Sequence, residues 1–204
     1  MKYDAVVFDL LTALIDSWTL WNDVAGSPGD GLKWRRRYLE ITYGYGAYRP
    51  YETLVREAAR DVGLPESLGA DLERRWDELQ PWPEAHGVLV KAALPLAVAT
   101  NCSIRLGRRA ADRVGVPFKI VETAESIGFY KPRPEVYRAV LAALGTAPER
   151  TLFVAGSASD VPGAKAVGMP VYWHNRTGLP PRDDARPDFL EPSLNCLGDL
   201  LAAR

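Results

Sequence analysis

The spacing of hydrophobic residues predicts four short buried strands. Residues 4–10 (DAVVFDL) form a brief run of β-branched and aromatic residues that is interrupted by the polar side chain of Asp9. Runs of the same kind follow at residues 94–101, 151–157 and 169–175, and each ends in polar residues. A short apolar run of this form is typical of a strand whose two faces are both covered.

Helical periodicity occupies the intervals between the later strands. Apolar residues recur at helical spacing over residues 103–115 and 134–145, and both segments end in Gly, which is common at helix C-termini. A shorter pattern covers residues 160–168, and residues 179–189 are expected to form a surface loop. Strands that alternate with helices predict an α/β protein with a doubly wound parallel sheet. Such sheets bind ligands at the carboxyl ends of their strands, so the functional residues are expected there.

The segment after the first strand has a different character. Residues 17–80 are rich in Trp, Tyr and Arg, show helical spacing over 32–48 and 51–64, and contain no convincing strand pattern. The segment closes at a Pro-Trp-Pro sequence, which breaks any helix. We therefore predict a core domain made of residues 1–16 and 81–204, with an inserted helical cap between them.

Composition narrows the function classes. The 204 residues are 47% hydrophobic and 25% charged, enough for one core and a smaller unit. A net charge of -1 gives no bulk attraction to nucleic acid or to a membrane, so the expected partner is a small molecule. Cys102 and Cys196 form no metal-ligand or disulfide pattern. With no signal peptide and no apolar run of about 18–20 residues, a cytoplasmic location is expected.

Polar residues near the strand ends are the candidates for chemistry. Asp9 is either a nucleophile or a structural loop carboxylate. Thr100 and Asn101 follow the second predicted strand, where they bind an anion or cap the next helix. Lys131 precedes a helix and has the charge to pair with a carboxylate, although most lysines are solvated at the surface. Asp160 follows the third predicted strand, where it orients Lys131 or caps a helix.

Taken in order, these positions resemble the haloacid dehalogenase superfamily. Its four motifs are a strand-end Asp nucleophile, a strand-end Ser or Thr, a Lys, and an acidic motif after a later strand. The resemblance spans nearly the whole chain and implies a Rossmann-like core with a small cap. Phosphatases of that superfamily carry two further acids, at the positions of Leu11 and Gly156 here. Neither a proton donor for the leaving group nor a Mg²⁺ site is therefore expected.

The same losses are expected of the L-2-haloacid dehalogenase branch, which uses no metal and no cofactor. Asn101 follows Thr100 as an Asn follows the Ser of that branch. Residues 34–40 (WRRRYLE), 130–137 (YKPRPEVY) and 173–178 (WHNRTG) are similar to its Trp-Arg, Lys-Pro and Asn-Arg-Thr-Gly segments. The chain departs from the branch near the nucleophile and the hydrolytic water, at Leu11, Ala13, Ala155 and Ser157. Thr12 lies one position before the Thr that the branch would have.

The resemblance implies a two-step hydrolysis of 2-haloalkanoic acids. Asp9 would displace halide to form an ester, which water would hydrolyse to a 2-hydroxy acid. Lys131 would keep Asp9 anionic and Asp160 would fix Lys131, while Arg35 and Asn101 would receive the halide. The expected catalytic residues are Asp9, Arg35, Thr100, Asn101, Lys131 and Asp160. The expected substrate-binding residues are Leu10, Leu11, Trp34, Tyr38 and Ser157.

Other functions stay open at this point. One is a Mg²⁺-dependent small-molecule phosphatase of the same superfamily. Another is a non-catalytic member of the fold, which gains weight from Ala13, Ala155 and Ser157. A homodimer is a further open possibility, because dimers are common among similar enzymes. His86 and His174 are expected to have surface or packing roles, since the resemblance assigns no catalytic histidine.

Overall fold

The computed structural model of the chain describes residues 2–202, apart from the side chains of Tyr45 and Ala202. Residues 1, 203 and 204 of the predicted core domain lie outside this range. In the described part the strands are β1 (Ala5–Phe8), β2 (Ile15–Asp16), β3 (Gln80–Pro81), β4 (Leu96–Thr100), β5 (Ile120–Thr123), β6 (Thr151–Ala155), β7 (Val171–His174) and β8 (Phe189–Glu191). The α-helices are α1 (Ser17–Ala25), α2 (Pro28–Tyr45), α3 (Tyr51–Asp61), α4 (Ser67–Arg74), α5 (Ala85–Leu89), α6 (Ile104–Arg113), α7 (Ala124–Ile127), α8 (Pro134–Leu144), α9 (Asp160–Ala166) and α10 (Asn195–Ala202).

Six strands form one parallel sheet in the order β5-β4-β1-β6-β7-β8. Successive residues of β1 point to opposite faces: Val6 and Phe8 join one core cluster, and Ala5 and Val7 join the other. Both faces are covered, which explains the continuous apolar run of the first strand. The predicted doubly wound parallel sheet of the α/β class is confirmed.

The two edge strands are absent from the sequence-based prediction. β5 is mostly half-buried, and β8 has only three residues, none fully buried. An edge strand that is partly exposed lacks the continuous apolar run by which central strands are recognised. Phe189, predicted as the end of a surface loop, instead begins β8.

Between β2 and β3 the chain is mainly helical, with one isolated antiparallel β-bridge between Ala47 and Phe129. β2 and β3 pair antiparallel, with Ile15 opposite Pro81, so the chain leaves and re-enters the sheet region at neighbouring points. The helices pack around aromatic rings: the centroids of Trp21 and Trp34 are 4.5 Å apart. Helix α1 starts at an Asp16 cap, which accepts a hydrogen bond from the Thr19 amide.

The helices α1–α4 lie against the carboxyl edge of the sheet. The Tyr38 hydroxyl on α2 donates to the Asn101 carbonyl just after β4 at 2.9 Å. Strand β1 lies between β4 and β6, so the chain order reverses there and a crevice opens at the carboxyl end of β1. No helix in residues 2–202 is both long enough and apolar enough to cross a membrane.

Candidate active site

Asp9 lies directly after β1 with its two carboxylate oxygens in different environments. Oδ1 accepts one hydrogen bond, from Lys131 Nζ at 2.8 Å. Oδ2 accepts from the Thr12 hydroxyl at 2.5 Å, the Thr12 amide at 3.1 Å and the Ala13 amide at 3.3 Å. A carboxylate oxygen has about two lone-pair sites. Oδ2 is therefore saturated, whereas Oδ1 keeps one lone pair for another partner.

The surroundings of Asp9 hold it in the ionised form. Burial by itself raises the pKa of this carboxyl, but the Lys131 ammonium and the hydrogen bonds from Thr12 and Ala13 outweigh burial. The net result is a pKa below the ordinary value for Asp. Asp9 is consequently an anion at neutral pH, and the Thr12 hydroxyl is one of the donors that stabilise this charge.

Lys131 bridges Asp9 and a second buried carboxylate. Its Nζ donates to Asp160 Oδ2 at 3.2 Å, and the lysine is 1% exposed. Burial opposes the charge of Lys131, but Asp160 and Asp9 more than compensate and raise its pKa above the ordinary value. Burial raises the pKa of Asp160 to about 6 despite the opposing attraction of Lys131. The Lys131 ammonium thus pairs with both carboxylates, and Asp160 has the higher pKa of the two.

Arg35 is a buried cation with a free donor. It is 6% exposed, and its guanidinium carbon lies 3.8 Å from the centroid of the Trp18 ring. Its Nη1 has no hydrogen-bond partner among residues 2–202. Burial lowers its pKa to about 10, which leaves it charged at neutral pH. A buried cation with an unused N–H is a site for an anion, because leaving that group unpaired is costly.

The next arginines of the run face elsewhere. Arg36 is exposed, and Arg37 pairs with Asp61 at 2.9 Å. Consecutive helical residues point about 100° apart, so α2 directs one arginine of the run into the site.

Asp9 and Arg35 line one cavity of about 70 Å³. The same cavity collects most of the predicted site residues: Leu11, Tyr38, Thr100, Asn101, Lys131, Ser157 and Asp160. These residues come from the carboxyl ends of β1, β4 and β6, from the loop before α8, and from α2.

Leu10 and Trp34 do not line the cavity, and the expectation that they contact substrate is corrected. Both are 0% exposed and belong to the hydrophobic core. The Trp34 indole N–H donates to the Val55 carbonyl at 2.8 Å. Trp34 immediately precedes Arg35 on α2, and neighbouring helical residues diverge in direction, so only one of the two faces the cavity.

Asn101 has a more constrained position than the sequence indicated. Its Oδ1 accepts from the Lys131 amide at 2.7 Å, and its Nδ2 donates to the Lys131 carbonyl at 3.2 Å. This reciprocal pair fixes the backbone that carries the bridging ammonium. The neighbouring Thr100 hydroxyl donates to the Cys102 thiol at 3.6 Å, and sulfur is a weak acceptor, so this hydroxyl is free to change partner.

Several cavity residues were missed by the sequence analysis. Trp18, Tyr51 and Leu179 all line the cavity, and Leu179 lies in a stretch predicted to be a surface loop. Tyr43 places its hydroxyl 3.2 Å from Ser157 Oγ, and the Tyr51 hydroxyl has no hydrogen-bond partner in the described residues. Trp18, Tyr51 and Leu179 carry no sequence signal, because only the packing of distant segments brings them to one wall.

The residues present do not fit a Mg²⁺ site. No group of three or more His, Cys, Asp or Glu side chains in residues 2–202 is arranged to hold a metal ion. Leu11 lines the cavity where a phosphatase would have an acid. A Cβ atom at Gly156 would clash with the backbone of Thr12 and Ala13, so this turn leaves no room for an acid there. Mg²⁺ is a hard cation that prefers carboxylate ligands. The carboxylates that line this cavity, Asp9 and Asp160, are already paired with Lys131.

Comparisons with known proteins show the family to which the chain belongs. The model of the family described as haloacid dehalogenase-like hydrolase matches residues 3–168. Haloacetate dehalogenase H-2 of Moraxella sp. is 28% identical over 98% of this chain and 99% of its own. The solved L-2-haloacid dehalogenase from Xanthobacter autotrophicus with covalently bound chloropropionic acid has a TM-score of 0.86 and 25% identity, with 98% of each chain covered. A phosphoserine phosphatase of Thermus thermophilus is 34% identical over 68% of this chain and 59% of its own. The chain belongs to the haloacid dehalogenase-like hydrolases.

Proposed function

We propose that the protein is a hydrolytic dehalogenase of short 2-haloalkanoic acids that uses Asp9 as the nucleophile. One observation carries the proposal: an ionised carboxylate with a free lone pair and a buried guanidinium with a free N–H line the same small cavity. The similarity to dehalogenases over almost the entire chain supports it. In this proposal residues 17–80 act as a cap that supplies Arg35 to a core formed by residues 1–16 and 81–204.

The first step is an in-line displacement at the carbon that bears the halogen. Asp9 Oδ1 attacks this carbon with its free lone pair, and the carbon–halogen bond breaks with its electrons going to the halide. Arg35 stabilises the departing anion through its unused N–H. Halide leaves without a proton, so Leu11 in place of an acid is no obstacle. Thr100 binds the substrate carboxylate, while Leu11 and Tyr38 contact the carbon chain.

The second step returns the carboxylate. Water attacks the ester carbonyl of Asp9, and Asp160 accepts the proton. Since Oδ1 carries the new ester bond, Oδ2 becomes the carbonyl oxygen on which negative charge develops. Thr12 and Ala13 already direct three donors at Oδ2, so they form an oxyanion hole. Collapse breaks the bond between Oδ1 and the Asp9 carbon, and Asp160 returns its proton to the oxygen of the departing 2-hydroxy acid. The second proton of the water remains on Asp9 and leaves to solvent, because the pKa of Asp9 lies below the ordinary value, which restores the carboxylate.

Halide release in the presence of EDTA is the test of this proposal. Purified protein is incubated with 2-chloropropionate and 2-bromopropionate, and free halide is measured with and without EDTA. Equal release in both samples is expected. Hydrolysis of p-nitrophenyl phosphate that EDTA abolishes would favour the alternative function, a Mg²⁺-dependent phosphatase. The similarity to the phosphoserine phosphatase of Thermus thermophilus is the reason to test it. No turnover of either substrate class would favour a non-catalytic member of the fold.

The size of the cavity predicts a limit on chain length. One water molecule needs about 10–15 Å³ on this scale, so about 70 Å³ holds roughly five to seven non-hydrogen atoms. Haloacids of two or three carbons are of this size. We expect kcat/KM for 2-bromohexanoate to be at least about tenfold below that for 2-bromopropionate, because a substrate that overfills the cavity loses about 1.4 kcal/mol or more. Equal values for the two acids would contradict the predicted limit.

Activity is expected to fall on the acid side at about pH 6. Asp160 has a pKa of about 6, so it is charged above that pH and becomes neutral below it. Protonation removes one of the two carboxylates that hold Lys131 and removes the acceptor for the water proton. A profile of kcat/KM between pH 4.5 and 8 checks this expectation. The residual activity of an Asp160→Asn variant is expected to lack this ionisation, and a flat wild-type profile down to pH 5 would disprove it.

Substitution of Arg35 is expected to slow halide departure. Arg35→Met keeps an unbranched side chain but removes the donor that faces the leaving group. We expect kcat for halide release to drop by about 100-fold, the usual effect of deleting one donor to a developing anion. Arg36→Met, on the exposed side of the same helix, is the matched control and should remain within about twofold of wild type. Equal activity of both variants would remove Arg35 from the mechanism.

A further inference from the structure

The turn that supports Asp9 is held on its carbonyl side by two ring N–H groups. The Trp82 indole Nε1 donates to the Thr12 carbonyl at 2.9 Å. His174 Nδ1 lies 2.8 Å from the Ala13 carbonyl oxygen. Thr12 and Ala13 are the residues whose amides donate to Asp9 Oδ2. The two amides therefore face Asp9. The Thr12 carbonyl is bound by Trp82, just after β3, and the Ala13 carbonyl is bound by His174 in β7.

The partners of His174 determine its tautomer. A carbonyl oxygen only accepts hydrogen bonds, so Nδ1 must carry the proton that faces Ala13. On the other side of the ring, the Arg176 Nε donates to His174 Nε2 at 3.3 Å, and a guanidinium cannot accept. Both contacts require the neutral Nδ1–H imidazole. The histidine is 1% exposed, so water does not replace either partner.

The charged groups around His174 reinforce this form. Arg176 pairs with Glu84, and its guanidinium carbon lies 4.5 Å from the centroid of the Trp82 ring. On the neighbouring strand β8, Glu191 is in register with His174, but its carboxylate accepts from the Cys196 thiol. Burial and the positive charge of Arg176 keep the pKa of His174 below the ordinary value, against the opposing effects of the Ala13 carbonyl, Glu84 and the Pro192 backbone.

We propose that His174 is a positioning residue for Asp9: its neutral Nδ1–H imidazole anchors the Ala13 carbonyl and thereby aims the Thr12 and Ala13 donors at Asp9 Oδ2. This inference rests on the proposed function, in which those donors form the oxyanion hole of the second step. His174 touches neither substrate nor the reacting atoms, so it acts through the turn. From the sequence, only a surface or packing role was expected for His174.

Protonation of His174 would break the hydrogen bond that its Nε2 accepts from Arg176. A charged imidazole has N–H groups on both nitrogens, so Nε2–H would oppose the Arg176 donor and place two cations side by side. The pKa of His174 is lower in the folded protein than the unfolded value of 6.5, so the stabilisation of the fold by neutral His174 is fully present above pH 6.5. This stabilisation is lost as the pH falls through the lower, folded-state pKa.

Two amide substitutions separate the anchoring contact from simple packing. His174→Asn places an N–H near the position of Nδ1, whereas His174→Gln places one near the position of Nε2. At pH 8 we expect His174→Asn to keep kcat within about threefold of wild type and His174→Gln to lose about tenfold or more, each with KM changed by less than about twofold. His86→Asn, at the exposed histidine, is the matched control and should equal wild type. Equal kcat values for His174→Asn and His174→Gln, with both variants folded, would overturn the proposal.

The pH profile and NMR give two further readouts. The acid limb of kcat/KM should be shallower in His174→Asn than in wild type, because one of the two ionising groups, His174 or Asp160, is gone. Nitrogen-15 NMR of the imidazoles, assigned with His86→Asn, should show His174 as the Nδ1–H tautomer. An Nε2–H tautomer would overturn the inference even if the protein released no halide. Absence of halide release with the Nδ1–H tautomer present would instead count against the proposed function.

Discussion

Asp9→Asn is expected to lower the rate of halide release from 2-chloropropionate by at least about 10⁴-fold, the scale on which removal of a catalytic nucleophile acts. An amide has neither the charge nor the free lone pair with which Oδ1 attacks carbon. The hydrogen bonds from Thr12 and Ala13 to the second oxygen are kept. Halide release by ion chromatography and folding by circular dichroism are measured on the same samples. A folded variant with more than a hundredth of wild-type activity would rule out Asp9 as the nucleophile.

Oxygen-18 labelling gives the same prediction a chemical readout. In a single turnover in labelled water, the hydroxyl of the product comes from Asp9 Oδ1, so the product is unlabelled and Asp9 gains the label. Mass spectrometry of the peptide that contains Asp9 measures this gain. Direct attack of water on the substrate carbon would instead label the product. Asp9→Ala should be as inactive as Asp9→Asn, and it excludes activity that arises from slow deamidation of Asn back to Asp.

Lys131→Met is expected to impair both activity and stability. Without the ammonium, Asp9 and Asp160 face each other in a dry crevice, where both carboxylates are destabilised and one takes up a proton. Loss of one partner of a buried ion pair costs about 3–5 kcal/mol. If about 4 kcal/mol of this appears in the transition state, kcat/KM falls by about 10³-fold. Urea unfolding measures the loss of stability, and halide release measures the loss of activity.

A double variant separates the two effects of Lys131. Lys131→Met with Asp160→Asn removes the repulsion between the carboxylates but supplies no cation for Asp9. We expect it to recover part of the lost stability while its activity stays as low as that of the single variant. Recovery of activity together with stability would show that Lys131 has only a structural role. Lys33→Met removes a surface lysine that pairs with Asp30 and is the control for general loss of positive charge.

The residues at the strand ends were predictable because local sequence and sheet geometry act together there. Asp9, Thr100 and Asp160 follow runs that are apolar on both faces, and parallel strands bring their carboxyl ends to one edge. Lys131 was identified by resemblance rather than by periodicity, and the structure places its ammonium between two of these carboxylates. Leu10 shows the limit of such reasoning, because its position beside Asp9 did not reveal that its side chain enters the core.

The residues of helices α1 and α2 were harder to predict. An aromatic residue at helical spacing looks the same whether it packs in a core, as Trp34 does, or lines a cavity, as Tyr38 does. Trp18 and Arg35 stack although they lie on different helices, and their contact depends on how α1 crosses α2. The edge strands were missed for a related reason, since partial exposure breaks the apolar pattern that marks the centre of the sheet.

Three features could be read from the amino-acid sequence alone: the parallel α/β architecture, the strand-end position of Asp9, Thr100 and Asp160, and the absence of acids at Leu11 and Gly156. These features follow from the local order of apolar, polar and glycine residues. The way Asp9 is held followed from the tertiary structure instead. The Thr12 hydroxyl belongs to the turn just after Asp9, the Lys131 ammonium comes from a distant segment, and the His174 ring binds the Ala13 carbonyl behind that turn. Hydrogen-bond direction and burial depend on distances in space, which spacing along a sequence does not specify.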